Sequence, residues 1–294
     1  MKNNNLTTAE FNEKVAAYFD VDAADFEDRY QKNHILQRIR RCFRNETEKL
    51  EWQEALEIGC GPGIDLAYFA DRYPERRLTG LDISPKMIEL AKKNIRDFPN
   101  AEAVTSTVEN IPQLFNQKKF DLVYCYFGAL NTVRDLQQTG RIMQQITTPK
   151  AEMILTFINR YYLTDIVLNL IFLRPRRALG RVRQQWLGYS PKKQLASTPR
   201  GKKEVETAFS PFFKLEKYTS YSLIHPAWYR AHLLPERSRL NAALWQIDEL
   251  LRRTALRNSG EYSLYHLRKV AEPAATERSD SRSYNPLSKE GNND

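Results

Sequence analysis

Cysteine is scarce in this chain: Cys42, Cys60 and Cys125 are all three that its 294 residues hold. They are odd in number, widely spaced and without a Cys-x-x-Cys pair. That excludes a disulfide framework and a zinc ribbon as organising devices, and it suits a reducing, cytoplasmic compartment. Long apolar runs are missing as well, since none approaches the roughly 18 residues that a membrane-spanning helix needs. The opening Met1-Lys2-Asn3-Asn4-Asn5 has no apolar stretch behind it and does not read as a secretory signal. There is no His-Glu-x-x-His, no Gly-x-Ser-x-Gly and no His/Cys/Asp cluster at ligand spacing, so neither a metal site nor a hydrolase triad is expected. What remains, at 41% apolar residues, is a globular chain long enough to bury a sizeable core.

The net charge of +9 has an address. Arg174, Arg176, Arg177, Arg181, Arg183, Lys192, Lys193, Arg200, Lys202 and Lys203 lie within 174–203, and that stretch contains no Asp or Glu. Removing these ten leaves the other residues close to neutral, so a broad nucleic-acid-binding face is not favoured. A local basic segment can instead meet lipid headgroups, a phosphorylated substrate or RNA, or it can be a solvated insertion.

Residues 9–50 read as a helical cap, with Phe11, Val15, Tyr18 and Phe19, then Ile35, Leu36, Ile39 and Phe43, at helical spacing. From residue 51 to 160 short apolar runs at 55–58, 78–81, 103–106, 120–124 and 153–157 alternate with helical segments at about 64–73, 85–97 and 133–146. This rhythm predicts a parallel sheet covered on both faces. A helical, basic insertion follows over 161–212, and its apolar stretch at 163–173 suits either a lid helix buried against the sheet or an interfacial helix. Residues 213–270 resume strand character, at 213–223 and 262–270, around a helix at 236–257. The ends, 1–8 and 271–294, have the composition of a flexible N-terminus and a disordered tail.

The most informative segment is Glu57-Ile58-Gly59-Cys60-Gly61-Pro62-Gly63-Ile64. A buried strand ends in a turn with glycine at every second position and then opens a helix. Glycine there lets a ligand approach the main chain, and the helix start presents unpaired N–H groups. The dinucleotide fingerprint Gly-x-Gly-x-x-Gly is not matched, because Ile64 stands where its third glycine belongs. A second strand ends at Asp82, whose two carboxylate oxygens suit the vicinal hydroxyls of a ribose. Ser84 and Pro85 then read as cap and first residue of the next helix.

These residues resemble the class I S-adenosylmethionine-dependent methyltransferases. Glu57-x-Gly59-x-Gly61-x-Gly63 is similar to the first motif of that family, Leu81-Asp82-Ile83-Ser84 with Met87 to its second, and Phe120-Asp121-Leu122-Val123 to its fourth-strand motif. Phe127-Gly128-Ala129-Leu130-Asn131 looks like the loop that follows in small-molecule methyltransferases. The resemblance implies an α/β, Rossmann-like, seven-stranded and mostly parallel sheet with one antiparallel C-terminal strand and helices on both faces. It implies S-adenosyl-L-methionine as cofactor, with Glu57, Gly59, Cys60, Gly61 and Gly63 around the methionine part, Asp82 on the ribose, and Ile83 and Met87 on the adenine. Thr107, Val108, Glu109 and Tyr124 complete that set. Thr107 stands where the family usually has an acid, and Glu109 is close enough to substitute for it.

The sulfonium methyl of such a cofactor is already electrophilic, so the protein mainly holds a nucleophile in line and excludes water. Tyr124-Cys125-Tyr126-Phe127 lacks the Pro-Pro of base-amine methyltransferases and the Pro-Cys of cytosine C5 enzymes, and Cys125 reads as a buried structural thiol. Tyr18, Tyr30, Asn131, Tyr161, Tyr162 and Trp228 are the candidate substrate-pocket residues, and His225 is the candidate general base. The expectation is a cytoplasmic enzyme, with or without peripheral contact to an anionic membrane through 174–203, that methylates a small, lipophilic acceptor on oxygen. An RNA or protein methyltransferase that grips its substrate with the basic insertion, and a non-catalytic cofactor-binding module, are the alternatives.

Overall fold

The computed structural model describes residues 6–183 and 197–270; the expected tail at 271–294, the first five residues, Lys192 and Lys193 lie outside them. Three helices lead: α1 (Thr8–Asp22), α2 (Phe26–Gln31) and α3 (His34–Thr47). Thr7 and Glu10 cap α1 reciprocally, and α3 buries Ile35, Ile39 and Phe43 at four-residue spacing, so one stripe of it faces the core. The alternating unit follows as β1 (Glu54–Ile58), α4 (Ile64–Arg72), β2 (Arg77–Asp82), α5 (Pro85–Asn94), β3 (Ala101–Thr105), α6 (Ile111–Leu114), β4 (Phe120–Cys125), α7 (Leu136–Ile146) and β5 (Thr147–Ile158). Then come α8 (Leu163–Ile171), α9 (Pro175–Ala178), α10 (Lys202–Phe209), β6 (Phe213–Tyr221), α11 (Arg239–Leu251) and β7 (Tyr262–Lys269).

The strands form one sheet in the order β3-β2-β1-β4-β5-β7-β6. β1 to β5 pair in parallel, and β7 runs antiparallel between β5 and β6. Strand alternation divides the core in two. Leu56, Val123, Leu155 and Leu267 point into one layer, while Ala55, Leu122, Ile154 and Leu264 point into the other, against α3 and α4. Chain order reverses between β1 and β4, because the chain runs outward from β1 through β2 to β3 and then returns to the other side. Ligands of open α/β sheets bind at such a switch point, off the carboxyl ends of the strands.

Two expectations change in the structure. β5 begins six residues earlier than the apolar run at 153–157, because Thr147 pairs with Phe120 before a register shift. The basic stretch is partly neutralised from within. Arg181 is buried 3.6 Å from Glu261, Arg200 pairs with Glu204 at 2.5 Å, and Lys202 pairs with Glu206. Arg174, Arg176, Arg177, Arg183 and Lys203 stay exposed.

Candidate functional site

The three glycines after β1 all have left-handed φ, +72° at Gly59, +53° at Gly61 and +77° at Gly63. Their reasons differ. A Cβ on Gly59 would lie 2.2 Å from the Ala129 Cβ, and one on Gly63 3.1 Å from Ala91, so both serve close packing. A Cβ on Gly61 would meet nothing within 4 Å; this glycine opens onto a cavity. Gly59 and Cys60 donate their amides to the Leu81 carbonyl, and Gly61 N–H donates to Asp82 Oδ2 at 2.9 Å. Ser84 N–H takes the other oxygen, Oδ1, also at 2.9 Å. Asp82 thereby ties the turn to the end of β2. Burial pushes its carboxyl up to about 6, and these backbone hydrogen bonds counter only part of that.

The cavity at the switch point has a volume of about 240 Å³. A single water needs roughly 10–15 Å³ of such space, so this is room for an organic ligand and not a packing void. One end is walled by Gly59, Gly61, Asp82, Ile83, Met87, Thr107, Val108 and Glu109. α1 closes over that end. Asp20 accepts hydrogen bonds from the Ser84 hydroxyl and the Lys86 amide, Asn12 Nδ2 donates to Glu109 Oε2 at 3.2 Å, and Phe11 and Val15 pack near Ile83. The rest of the lining is largely aromatic, with Phe26, Tyr30, Tyr126, Phe127, Trp228 and Tyr262 alongside Arg40 in the wall.

Arg40 organises that part of the wall. Its guanidinium lies 4.5 Å from the Tyr30 ring centre and 4.7 Å from that of Phe127. It pairs with buried Asp65, which Arg44 also holds, at 2.6 Å. Arg40 lines the cavity, and its Nε is buried with no hydrogen-bond partner among the described residues. Phe127 takes φ +53°, an unusual backbone for an aromatic residue and of the kind that clusters at ligand sites.

The structure thus brings together Gly59, Gly61, Asp82, Ile83, Met87, Thr107, Val108 and Glu109 with Tyr18, Tyr30 and Trp228. It places the remaining candidates elsewhere. Glu57 lies behind the glycine turn, where it accepts from Tyr124 Oη at 3.2 Å, and burial with the nearby Asp65 charge raises its pKa well above the ordinary value. Cys60 and Gly63 belong to the turn but not to the cavity wall, and burial pushes the Cys125 thiol up to about 12, as suits a structural cysteine. Asn131 bridges backbone, accepting from Ile158 N–H at 2.9 Å and donating to the Thr198 carbonyl at 2.7 Å. Tyr161 is exposed, and Tyr162 is buried beneath Arg181, 5.0 Å from its ring centre. His225 is fully buried, its Nε2 2.8 Å from Asn241 Oδ1 and its ring against Trp245. It does not border the cavity, so the general-base expectation finds no geometric support there. Arg40, Phe127 and Tyr262 were not anticipated; the one available signal was a charged residue, Arg40, inside the apolar stripe of α3.

A doubly wound sheet with its cavity at the switch point, a three-glycine turn and an acid ending the next strand define the class I S-adenosylmethionine-dependent methyltransferase fold. Residues 55–150, the part of the chain that carries the glycine turn and β1 to β4, match the family model described as methyltransferase domain. The chain is similar to malonyl-[acyl-carrier protein] O-methyltransferase 1 of Ilyobacter polytropus, 41% identical over 69 residues, which are 24% of this chain and 25% of that protein. It is also similar to trans-aconitate 2-methyltransferase of Methylobacterium radiotolerans, 42% identical over 62 residues, 20% of this chain and 24% of that one. The matched segments span about a quarter of the length of these relatives. Among solved structures, N-methyltransferase NodS from Bradyrhizobium japonicum, in complex with S-adenosyl-L-homocysteine, has a TM-score of 0.50 at 12% identity over 83% of this chain and 91% of that one. That likeness is one of fold.

Proposed function

We propose that this protein is a methyltransferase that uses S-adenosyl-L-methionine to methylate a small, largely apolar molecule on oxygen. The observation that carries the reading is a single cavity that joins the Asp82–Gly61 end to the aromatic lining alongside Arg40. The residues suit the cofactor: the space beside Gly61 admits a ligand against the main chain, Asp82 offers a carboxylate to ribose hydroxyls, and Ile83, Met87 and Val108 offer flat apolar contact to adenine. The Arg40 guanidinium suits a carboxylate at the amino-acid end, and Thr107 and Glu109 are the polar groups beside the base. When bound, that cofactor supplies an electrophilic methyl group. This chain's part is then to orient an acceptor between Tyr30, Phe127 and Trp228 and to exclude water beneath α1. Oxygen as acceptor atom is supported by the O-methyltransferase among the relatives. The internal pairing of Arg181, Arg200 and Lys202 weakens the reading as an enzyme that grips RNA.

Calorimetric titration with S-adenosyl-L-homocysteine tests the cofactor half. Micromolar binding that falls tenfold or more in Asp82→Ala is expected; no binding by the unaltered chain would sink the enzyme. Incubating the protein with methyl-labelled cofactor and a cell extract tests the acceptor half. Label should enter an organic-extractable small-molecule fraction, and label confined to RNA or protein would overturn that part.

A further inference from the structure

The helix after β5 is turned inside out. A helix on a soluble surface buries its apolar stripe and exposes polar residues, yet the buried residue of α8 is Asn169. Leu170, Ile171, Phe172 and Leu173 are 50%, 66%, 64% and 88% exposed, four consecutive apolar side chains in solvent. The turn that ends the helix holds them there, with Leu173 in the left-handed region at φ +52° and the Arg174 amide bonded to the Asn169 carbonyl at 2.7 Å. A leucine adopts that backbone at a cost, and here the outcome is its near-complete exposure.

Charge indicates what should cover this patch. Arg174, Arg176 and Arg177 follow directly, all exposed, and none forms an ion pair among the described residues. Asp165, the acid of α8, is taken by Arg230 at 2.8 Å. Arg181 and Arg200 of the same basic stretch instead pair with Glu261 and Glu204. An apolar tip rimmed by exposed arginines that form no ion pair among the described residues, with Arg174 over the Phe172 ring at 6.0 Å, fits the interface of an anionic bilayer, where side chains enter the acyl boundary and guanidinium groups meet phosphates. A second copy of the chain fits poorly, because a two-fold contact through this patch would bring the same cations face to face.

We propose that the tip of α8 and the turn after it dock the protein onto an anionic lipid surface. The inference does not rest on methyl transfer. α8 starts just past the carboxyl end of β5, whose Ile158 borders the cavity, and Thr164 bonds the Leu223 carbonyl.

The test is vesicle co-sedimentation of the full chain, with phosphatidylcholine alone and with added phosphatidylglycerol. Binding to the anionic vesicles at least tenfold above the neutral ones is expected. Arg174→Glu/Arg176→Glu/Arg177→Glu should reduce it on the order of a hundredfold, and Ile171→Ser/Phe172→Ser/Leu173→Ser at least tenfold. Both variants should keep the parent melting temperature and homocysteine-cofactor affinity, since exposed positions tolerate such changes; the single Leu173→Ser stands in should either fail to fold. Failure of the parent to bind anionic vesicles overturns the proposal. So does undiminished binding by the serine variant, which would reduce the contact to charge alone, or a dimer in sedimentation that the serine variant abolishes.

Discussion

On the proposed reading, Asp82 couples a proton equilibrium to cofactor binding. Its carboxyl sits at about 6 against an ordinary 3.8, chiefly through burial. As pH rises between those values the unfolded chain has already released this proton while the folded chain has not. The group therefore favours folding at low pH and loses that benefit as pH climbs to about 6. For binding the direction reverses, because ribose hydroxyls donate and only the carboxylate accepts twice. Affinity for S-adenosyl-L-homocysteine should therefore weaken up to about tenfold per pH unit below pH 6 and level off above it. Calorimetry across that range checks this, and Asp82→Asn should flatten the profile. The glycines offer a second contrast. Gly61→Ala puts its methyl in open space, so the fold should lose only about 1–2 kcal/mol for the left-handed backbone while cofactor binding is abolished. Gly59→Ala drives a methyl into Ala129, and its melting temperature should fall well below that of Gly61→Ala.

The leading helices and the sheet are coupled through one carboxylate. Asp65, in the first turn of α4, accepts from both Arg40 and Arg44 of α3, and it is buried. Removing it strands two guanidinium groups inside the protein, so Asp65→Ala should lower stability by about 3–5 kcal/mol, read from urea unfolding. It should also loosen Arg40 and weaken cofactor binding beyond what the stability loss explains. Residue pattern made β1, β2, β4 and the helices α4, α5 and α7 legible, because buried strands are short apolar runs and Ser84-Pro85 marks a helix start locally, whereas α6 and the first six residues of β5 carry no such run. The Gly61–Asp82 side of the cavity was legible for the same reason: its residues follow one another in the chain. The aromatic part was not, since Tyr30, Arg40, Phe127, Trp228 and Tyr262 meet only through tertiary packing. The position of His225 away from the cavity was not readable, because a buried histidine held by an asparagine and a catalytic one look alike in sequence. The orientation of α8 was equally hidden, because its apolar residues outnumber what one face can bury and periodicity cannot say which face is turned in.

Taken as one body, the molecule is held together late in its own sequence. β7 pairs along its length with both β5 and β6, and Tyr262 at its start walls the cavity beside Phe127, their ring centres 5.6 Å apart. A chain cut before Tyr262 should therefore show no cooperative thermal transition by circular dichroism, whereas the glycine turn and Asp82 remain in its sequence. The same insertion sets an order for biosynthesis. Every strand of the parallel part leaves the ribosome before the one that closes the sheet, so a nascent chain can shape the nucleoside end while β5 still has an open edge. Such edges invite pairing with other chains. Until its last strand is delivered, the chain carries an exposed edge on β5 of the kind that invites mispairing, so the final stretch of synthesis is where its folding is most open to error.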